Sequence, residues 1–126
     1  MKLRIQGDSL RLRIAPSEMK RLLSEGRIEE TIHFAADETA CLTYALEQSA
    51  TASEPCVRYA PGEVTVLVPA SRARQWAEGE RVGVYGTVNL KSGRLELAVE
   101  KDWACLDKDA AENEDTFPNP NQGPAC

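Results

Sequence analysis

Two halves of the chain, residues 1–50 and 55–102, repeat the same order of residue chemistry at a shift of 54 positions. Apolar residues match apolar residues along nearly the whole of each half, although few of the matched pairs are identical. The matched positions include Gly7-Asp8 with Pro61-Gly62, Ser17 with Ser71 and, after a one-residue slip, Glu47 with Glu100. A duplicated unit and a merely shared order of secondary structure both explain this match. In either case, each half is expected to form the same elements in the same order.

Alternating apolar and polar residues predict half-buried strands, and apolar residues spaced by three and four predict helices. The predicted strands cover residues 2–6, 9–14, 27–34, 41–48, 81–89 and 94–101, with two more flanking Pro61-Gly62. A first helix from Pro16 to Gly26 is expected to bury Met19, Leu22 and Leu23, and a second covers residues 70–78. The predicted fold class is α+β, with a mainly antiparallel sheet of about eight strands and two short helices. Its pseudo-duplicated strand-strand-helix-strand-strand unit forms either two packed half-sheets or a barrel-like sheet.

The chain has 126 residues, of which 42% are hydrophobic and 28% charged, which is the balance of a soluble globular domain. This composition excludes a fibre, a collagen-like chain and wholesale disorder. The longest apolar run, residues 64–70, is far shorter than the roughly 20 residues needed to cross a bilayer. No apolar stretch follows the cationic residues near the N-terminus. We therefore expect a cytoplasmic protein with no membrane contact.

The acidic charge is concentrated at the C-terminal end of the chain. Residues 1–100 hold 14 acidic and 13 basic side chains, whereas residues 101–126 hold six acidic and two basic ones. We therefore divide the chain into a single duplicated domain, residues 1–104, and an acidic, proline-containing tail, residues 105–126. The side chains expected to anchor this tail are Trp103, Leu106 and Phe117. The formal net charge of −5 argues against nucleic acid as a partner.

Six short motifs are spread over nearly the whole chain. They are Met1-Lys-Leu-Arg-Ile-x-Gly-x-Ser-Leu-Arg-Leu-Arg, Ile28-Glu-Glu, Leu42-Thr-Tyr-Ala-Leu, Val68-Pro-Ala-Ser, Glu100-Lys-Asp-Trp-x-Cys-Leu and Asp115-Thr-Phe-Pro-Asn-Pro. Together they resemble a family of short, uncharacterised bacterial proteins, a domain of unknown function. The resemblance implies a bacterial, intracellular protein, and it brings no activity, cofactor or catalytic residue with it.

The first hairpin carries an unusual set of cations. A two-residue turn at Gly7-Asp8 places four basic side chains on one face, where like charges facing each other are destabilising. The residues of this candidate anion-binding site are Lys2, Arg4, Arg11 and Arg13, with Arg58 at the equivalent of Arg4 in the second half. Such a cluster suits a phosphate, a carboxylate or an acidic protein segment. The alternative is a solvated face that is neutralised by neighbouring strands or by the acidic tail.

Glu30 is predicted to share a strand face with Ile28, Ile32 and Phe34. A carboxylate among apolar residues is either a buried group with a partner or a group on a partly covered face, and both interpretations stay open here. His33 is the only histidine and has no nucleophile at a recognisable spacing.

Metal and cofactor motifs are absent from the sequence. The four cysteines, Cys41, Cys56, Cys105 and Cys126, have no C-x-x-C spacing and no histidine pair, so we expect no metal site and no cofactor. Cys105 and Cys126 bracket the tail and would close it into a loop if they were oxidised.

Three functional hypotheses follow, none of which fixes a specific ligand. The first is a non-catalytic domain whose basic hairpin binds an anionic ligand, an acidic partner or its own tail. The second is a metal-assisted phosphohydrolase in an antiparallel barrel, which needs Arg4, Arg11, Arg13, Arg58, Glu96 and Glu100 to face inward together. The third is a structural protein that self-associates through an uncovered strand edge, with a homodimer expected on general grounds alone.

Overall fold

The computed structural model describes residues 1–103 and 115–117, and it forms eight strands and two helices within them. The elements in chain order are β1 (Lys2–Ile5), β2 (Ser9–Ile14), α1 (Pro16–Glu25), β3 (Arg27–His33), β4 (Cys41–Ser49), β5 (Cys56–Ala60), β6 (Glu63–Pro69), α2 (Ala70–Glu78), β7 (Gly83–Leu90) and β8 (Gly93–Lys101). The predicted α+β class and the predicted element order are confirmed.

The strands form two four-stranded sheets and no closed barrel in the described part of the chain. The first sheet has the order β1-β2-β8-β7, and the second has the order β3-β4-β6-β5. All four hairpin pairs are antiparallel, as predicted, but the central pairs β2–β8 and β4–β6 are parallel. The arrangement is therefore mainly antiparallel, as predicted, with two parallel pairs at the centres of the sheets. The sheets also differ from the predicted half-sheets. Each helix connects a strand of one sheet to a strand of the other, so each half contributes one hairpin to each sheet.

The two parallel pairings have corresponding registers. Ser9 pairs with Glu96 in the first sheet, and Thr43 pairs with Glu63 in the second. Glu63 lies 54 positions after Ser9, and Glu96 lies 53 positions after Thr43, which are the shift and the slipped shift of the sequence repeat. If each residue is replaced by its counterpart in the other half, the pair Ser9–Glu96 therefore becomes the pair Thr43–Glu63.

Two glycines set the local geometry at the ends of elements. The backbone groups of Gln6 and Ser9 exchange hydrogen bonds of 3.1 Å around the Gly7-Asp8 turn, where Gly7 has a φ of 54°. Gly26 has a φ of 84° and donates its backbone N–H to the Leu22 carbonyl at 2.8 Å, which ends α1. Both backbone conformations favour glycine because it lacks a Cβ atom.

The hydrophobic core lies between the two sheets and the two helices. Its buried residues are Leu12, Ile14, Met19, Leu22, Ile28, Leu46, Val66, Val68, Ala73, Trp76, Val84 and Val99. The prediction for α1 is correct for Met19 and Leu22 but wrong for Leu23, whose side chain is 39% exposed. The core residues of β2, β4, β6 and β8 lie toward the ends of these strands that are away from the hairpin turns.

The core-facing sides of the sheets become exposed toward the hairpin turns. Ile14 and Leu46 lie in the halves of β2 and β4 that are away from the hairpin turns, and both are fully buried. Ile5 and Tyr59, which point to the same sides near the turns, are 62% and 72% exposed. The helices therefore cover one end of the core, and apolar side chains remain accessible at the other.

Candidate functional site

The four cations of the first hairpin lie side by side on the outer face of the first sheet. The register pairs Lys2 with Arg13 and Arg4 with Arg11, as predicted. All four side chains line one groove of about 150 Å³, together with Leu3. They face outward because the alternate residues of β2, Leu12 and Ile14, are buried in the core. The structure thus brings together four of the five predicted anion-binding residues.

Neighbouring carboxylates compensate two of these cations. Lys2 Nζ lies 2.9 Å from Asp102 Oδ2, and Arg11 Nε lies 3.1 Å from Glu100 Oε1. Glu100 reaches Arg11 because β8 runs parallel to β2 and its residues share the outer face. This part of the cluster agrees with the alternative in which neighbouring strands neutralise the hairpin.

Arg4 and Arg13 differ from the other two cations. Arg4 Nη2 donates a long hydrogen bond of 3.4 Å to the neutral Gln6 side chain, and the Arg13 guanidinium has no hydrogen bond within residues 1–103 and 115–117. Neither guanidinium has a carboxylate within ion-pair distance in these residues. The groove therefore contains two cations whose charge is available to a ligand.

A wider groove of about 460 Å³ adjoins the cations on the same sheet face. It runs from Arg11 across the small side chain of Ala98 to Tyr85 on β7. The Tyr85 hydroxyl donates a hydrogen bond of 2.7 Å to Glu100 Oε2, so Glu100 joins Tyr85 to Arg11. Partial burial, followed by the contact with Glu100, raises the pKa of Tyr85 to about 12. At neutral pH this groove therefore presents a neutral phenol beside an ion pair.

Arg58 lies in the second sheet, away from the other four candidates. Its guanidinium donates two hydrogen bonds to Glu47, at 3.0 and 3.1 Å. Arg27 also contacts Glu47, at 3.0 Å, and reaches Glu63 at 2.8 Å. The hydrogen bonds from Arg58, followed by that from Arg27, hold the pKa of Glu47 below its ordinary value. Arg58 therefore belongs to a charge-balanced network, and the structure does not place it in the hairpin groove.

The interpretation of Glu30 as a buried carboxylate is wrong. Its side chain is 44% exposed, and it accepts hydrogen bonds from the Tyr44 hydroxyl at 2.9 Å and from the Met1 amino group at 3.2 Å. β3 is an edge strand, and beyond Ile28 its residues are exposed. Glu30 lies on a partly covered strand face, which was the other interpretation of the sequence pattern.

The barrel required by the phosphohydrolase hypothesis does not form among the described strands. Core residues such as Leu12, Val66 and Val99 occupy the inner faces of the sheets, and the six required charged side chains alternate with them on the outer faces. Arg58 also lies in the other sheet, and Arg11 and Glu100 neutralise each other. The hypothesis is therefore not supported, because its six charged groups do not converge.

The described part of the tail, residues 115–117, packs beside the end of the first hairpin. The Phe117 ring meets the Trp103 ring at 5.6 Å between centroids, edge to face, so two of the three predicted anchors are found in contact. Asp115 accepts a hydrogen bond of 2.6 Å from the Ser17 hydroxyl. Asp115 also lines a cavity of about 630 Å³ with Lys2 and Arg13. Leu106 lies outside the described residues, and docking of the whole tail on the hairpin stays a prediction.

The remaining candidate groups do not form a site in the described part of the chain. Cys41 and Cys56 are free thiols, and Cys105 and Cys126 lie outside the described residues. His33 is exposed at the end of β3. Residues 1–103 and 115–117 contain no group of three or more histidine, cysteine or acidic side chains arranged to hold a metal ion.

Sequence reasoning missed three residues that border the cations. They are Tyr85, Thr87 and Asp102. Thr87 donates a hydrogen bond of 3.0 Å to Glu96, and Asp102 accepts from Lys2. The pairing of β2 with β8 brings these residues near the hairpin, and alternation within a single strand carries no signal for a parallel partner 80 or more residues away.

Comparisons with known proteins identify the family but bring no activity. No curated protein and no solved structure matches the chain significantly. No helix within the described residues is long and apolar enough to cross a membrane. A model of a family of unknown function, DUF7009, matches residues 1–121, which include most of the acidic tail. The chain therefore belongs to the DUF7009 family.

Proposed function

We propose that this protein is a small non-catalytic domain that binds an anionic ligand or an acidic protein segment in the groove of the first hairpin. The observation that carries the proposal is the groove itself. Lys2, Arg4, Arg11 and Arg13 line it together, and Arg4 and Arg13 have no carboxylate partner among the residues that the structure describes. Like charges facing each other weaken a sheet, so an anion that bridges them would offset a cost that the fold otherwise carries.

The spacing of the cations suits a ligand with several negative charges. Residues two apart on a strand lie about 6.6 Å apart, and neighbouring strands lie about 5 Å apart. Four cations on such a grid match successive phosphates or the alternate side chains of an extended acidic segment better than one small anion. Because the groove is shallow and exposed, most of the affinity is expected to be electrostatic and to fall as salt is added.

Removing two cations from the groove tests this proposal. In the variant Arg4→Gln/Arg13→Gln, we expect the affinity for a fluorescent ten-residue oligoglutamate to fall about tenfold or more at low salt. The matched control is Arg74→Gln/Arg81→Gln, which removes the same charge from exposed residues outside the groove. Equal losses of affinity in the two variants would show that only net charge matters, and the proposed site would then be wrong.

The acidic tail enters this proposal as an internal competitor. Asp115 and Asp102 lie next to Lys2 at one end of the groove. Converting the five acidic residues after Trp103 to their amides should therefore raise the affinity for oligoglutamate at low salt and have little effect at high salt. An unchanged affinity at both salt concentrations would contradict tail competition while leaving the groove itself in place.

A second candidate function is self-association, and the exposed apolar residues near the hairpin turns favour it. Ile5, Phe34 and Tyr59 are more than 60% exposed, although Ile5 and Tyr59 point to the core-facing sides of their sheets. Burying such side chains against a second copy would stabilise a homodimer. Sedimentation velocity should then show a dimer for the wild type and a monomer for Phe34→Ser/Tyr59→Ser. A monomeric wild type at high concentration would remove this candidate.

The matching registers of the parallel pairs support a further part of the proposal. We propose that residues 1–50 and 55–102 derive from one duplicated strand-strand-helix-strand-strand unit and that the protein works in the bacterial cytoplasm. Support for the duplication comes from the shift of 54 positions, with its one-residue slip, which relates both the sequence pattern and the strand pairs. The cytoplasmic location is proposed from the resemblance to bacterial proteins alone.

A further inference from the structure

Residues 115–117 lie against the body and are held there by side-chain and backbone contacts. The Ser17 hydroxyl donates a hydrogen bond of 2.6 Å to the Asp115 carboxylate. The backbone N–H of Phe117 donates to the Asp102 carbonyl at 2.7 Å, and Phe117 forms a parallel bridge with Trp103. At Phe117 the segment is therefore bound through its backbone, which is the contact by which a sheet edge binds an added strand.

The aromatic side chain of the segment occupies a slot that the body fixes in place. The Phe117 ring contacts the Trp103 ring, and the Lys101 ammonium lies 5.4 Å from the centre of the Phe117 ring. Lys101 is only 5% exposed, and its Nζ donates a hydrogen bond of 2.9 Å to the Gly79 carbonyl at the end of α2. Phe117 also packs against the hydrophobic core. These contacts select an aromatic side chain through its edge, its face and its apolar surface.

The acidic side chain of the segment lies in the open cavity of about 630 Å³. The basic side chains that line this cavity are Lys2, Arg13 and Arg21, and its other acidic side chains are Glu18 and Asp102. Glu18 binds the Met1 amino group and the Ala15 N–H, and Asp102 binds Lys2. Within the described residues, Arg13 and Arg21 have no carboxylate in ion-pair contact. The positive charge of these two guanidiniums favours an acidic side chain at the position of Asp115.

We propose that the groove formed by Ser17, Lys101, Asp102 and Trp103 is a peptide-docking site for an extended segment of another protein in which an acidic residue stands two positions before an aromatic one. Asp115-Thr116-Phe117 is then the resident occupant, which such a partner displaces. The groove binds a carboxylate, a backbone N–H and an aromatic ring. Any segment with this sequence pattern can supply all three groups. The cavity around Asp115 leaves room for a second chain to enter beside the resident one.

A labelled peptide with the sequence of residues 111–121 provides the test, and the full-length protein with Phe117→Ala provides an emptied aromatic slot. Fluorescence anisotropy should show saturable binding to this variant and at least about tenfold weaker binding to the wild type, whose own segment competes at high effective concentration. The control peptide has the same sequence with alanine in place of phenylalanine. It should bind the variant at least about tenfold more weakly than the parent peptide, because it lacks the aromatic contact.

Three outcomes would overturn the proposal. One is equal binding of the two peptides, which would reduce the interaction to charge. Another is no binding to a Phe117→Ala protein that keeps the circular dichroism of the wild type. If that variant does not fold, Asp115→Asn replaces it, because this change leaves the ring in place and loosens only the acidic end. A wild-type dimer that Phe117→Ala converts to a monomer would also contradict the proposal, since the occupant would then come from a second copy.

This test is independent of the proposed anion groove. Arg4→Gln/Arg11→Gln removes two cations of that groove that do not line the cavity around Asp115. Peptide binding in the Phe117→Ala background should persist in this variant while oligoglutamate binding falls. Loss of peptide binding with retention of oligoglutamate binding would contradict the docking site alone.

Discussion

Tyr85 and Glu100 meet on the outer face of the first sheet because of the register of β7 and β8. Tyr85 pairs with Ala98, whose small side chain leaves the phenol free to reach Glu100. The second oxygen of Glu100 is bound by Arg11, so the carboxylate is held between a guanidinium and a phenol. Ionisation of Tyr85 would place a phenolate against this carboxylate. The pair therefore gives a spectroscopic signal from the groove that adjoins the candidate site.

We predict that Tyr85 titrates near pH 12, above its ordinary value of 10.0. Its pKa is higher in the folded protein, so stability falls between about pH 10 and pH 12, where the unfolded chain loses this proton first. Glu100→Gln should lower the pKa of Tyr85 but leave it above 10, since partial burial is the larger cause. The phenolate absorbance of each protein minus that of its Tyr85→Phe counterpart isolates this group. An identical Tyr85 curve with and without Glu100→Gln would contradict the prediction.

At the scale of elements, a charge network crosses every strand of the second sheet. Arg27 on β3 contacts Glu47 on β4 and Glu63 on β6, and Arg58 on β5 contacts Glu47. Thr65, which is fully buried, accepts a hydrogen bond of 3.2 Å from Arg27. Because Glu47 accepts hydrogen bonds from two guanidiniums, its loss would leave both of them with fewer partners.

We predict that Glu47→Gln lowers the free energy of unfolding by about 1–2 kcal/mol at pH 7. The pKa of Glu47 is lowered in the folded protein, so its contribution is present above its ordinary value of 4.5 and is lost as the pH falls through the folded pKa. The difference between wild type and variant in urea denaturation should therefore shrink in acid. Glu54→Gln is the control, since Glu54 pairs with Arg72 at an exposed site and its change should cost less than about 0.5 kcal/mol. Equal losses in the two variants would count against the network.

The elements also show how far the sequence predicts the candidate site. Alternation and the Gly7-Asp8 turn are local signals, and they correctly place Lys2 opposite Arg13 and Arg4 opposite Arg11. The parallel pairing of β2 with β8 has no local signal, so the contact of Arg11 with Glu100 was not predictable. Arg58 matches Arg4 in the repeat, but the exchange of hairpins between the halves carries it to the other sheet. Burial of Glu30 failed as a prediction because alternation gives the face of a residue and not how much of that face is covered.

At the scale of the whole molecule, neither half of the chain completes a sheet of its own. Each central strand has one hairpin partner in its own half and one parallel partner in the other half. The core likewise draws on both halves, since Leu22 of α1 and Trp76 of α2 are both buried in it. These two residues are 54 positions apart and therefore occupy equivalent places in the repeat. The core thus combines one large and one smaller side chain at related positions.

We predict that the fragments 1–53 and 54–126 are each unfolded alone and assemble one to one when mixed. A homodimer of the second fragment would place two copies of Trp76 where one Trp76 and one Leu22 now pack, and overpacking of this kind costs about 1–3 kcal/mol or more. A homodimer of the first would leave a cavity there, which is also destabilising. Circular dichroism of each fragment and of the mixture measures whether folding requires both fragments, and the uncut chain serves as the reference. Cooperative unfolding of either fragment alone would show that one half carries enough of the core to fold, and the two halves would then be independent units rather than parts of shared sheets.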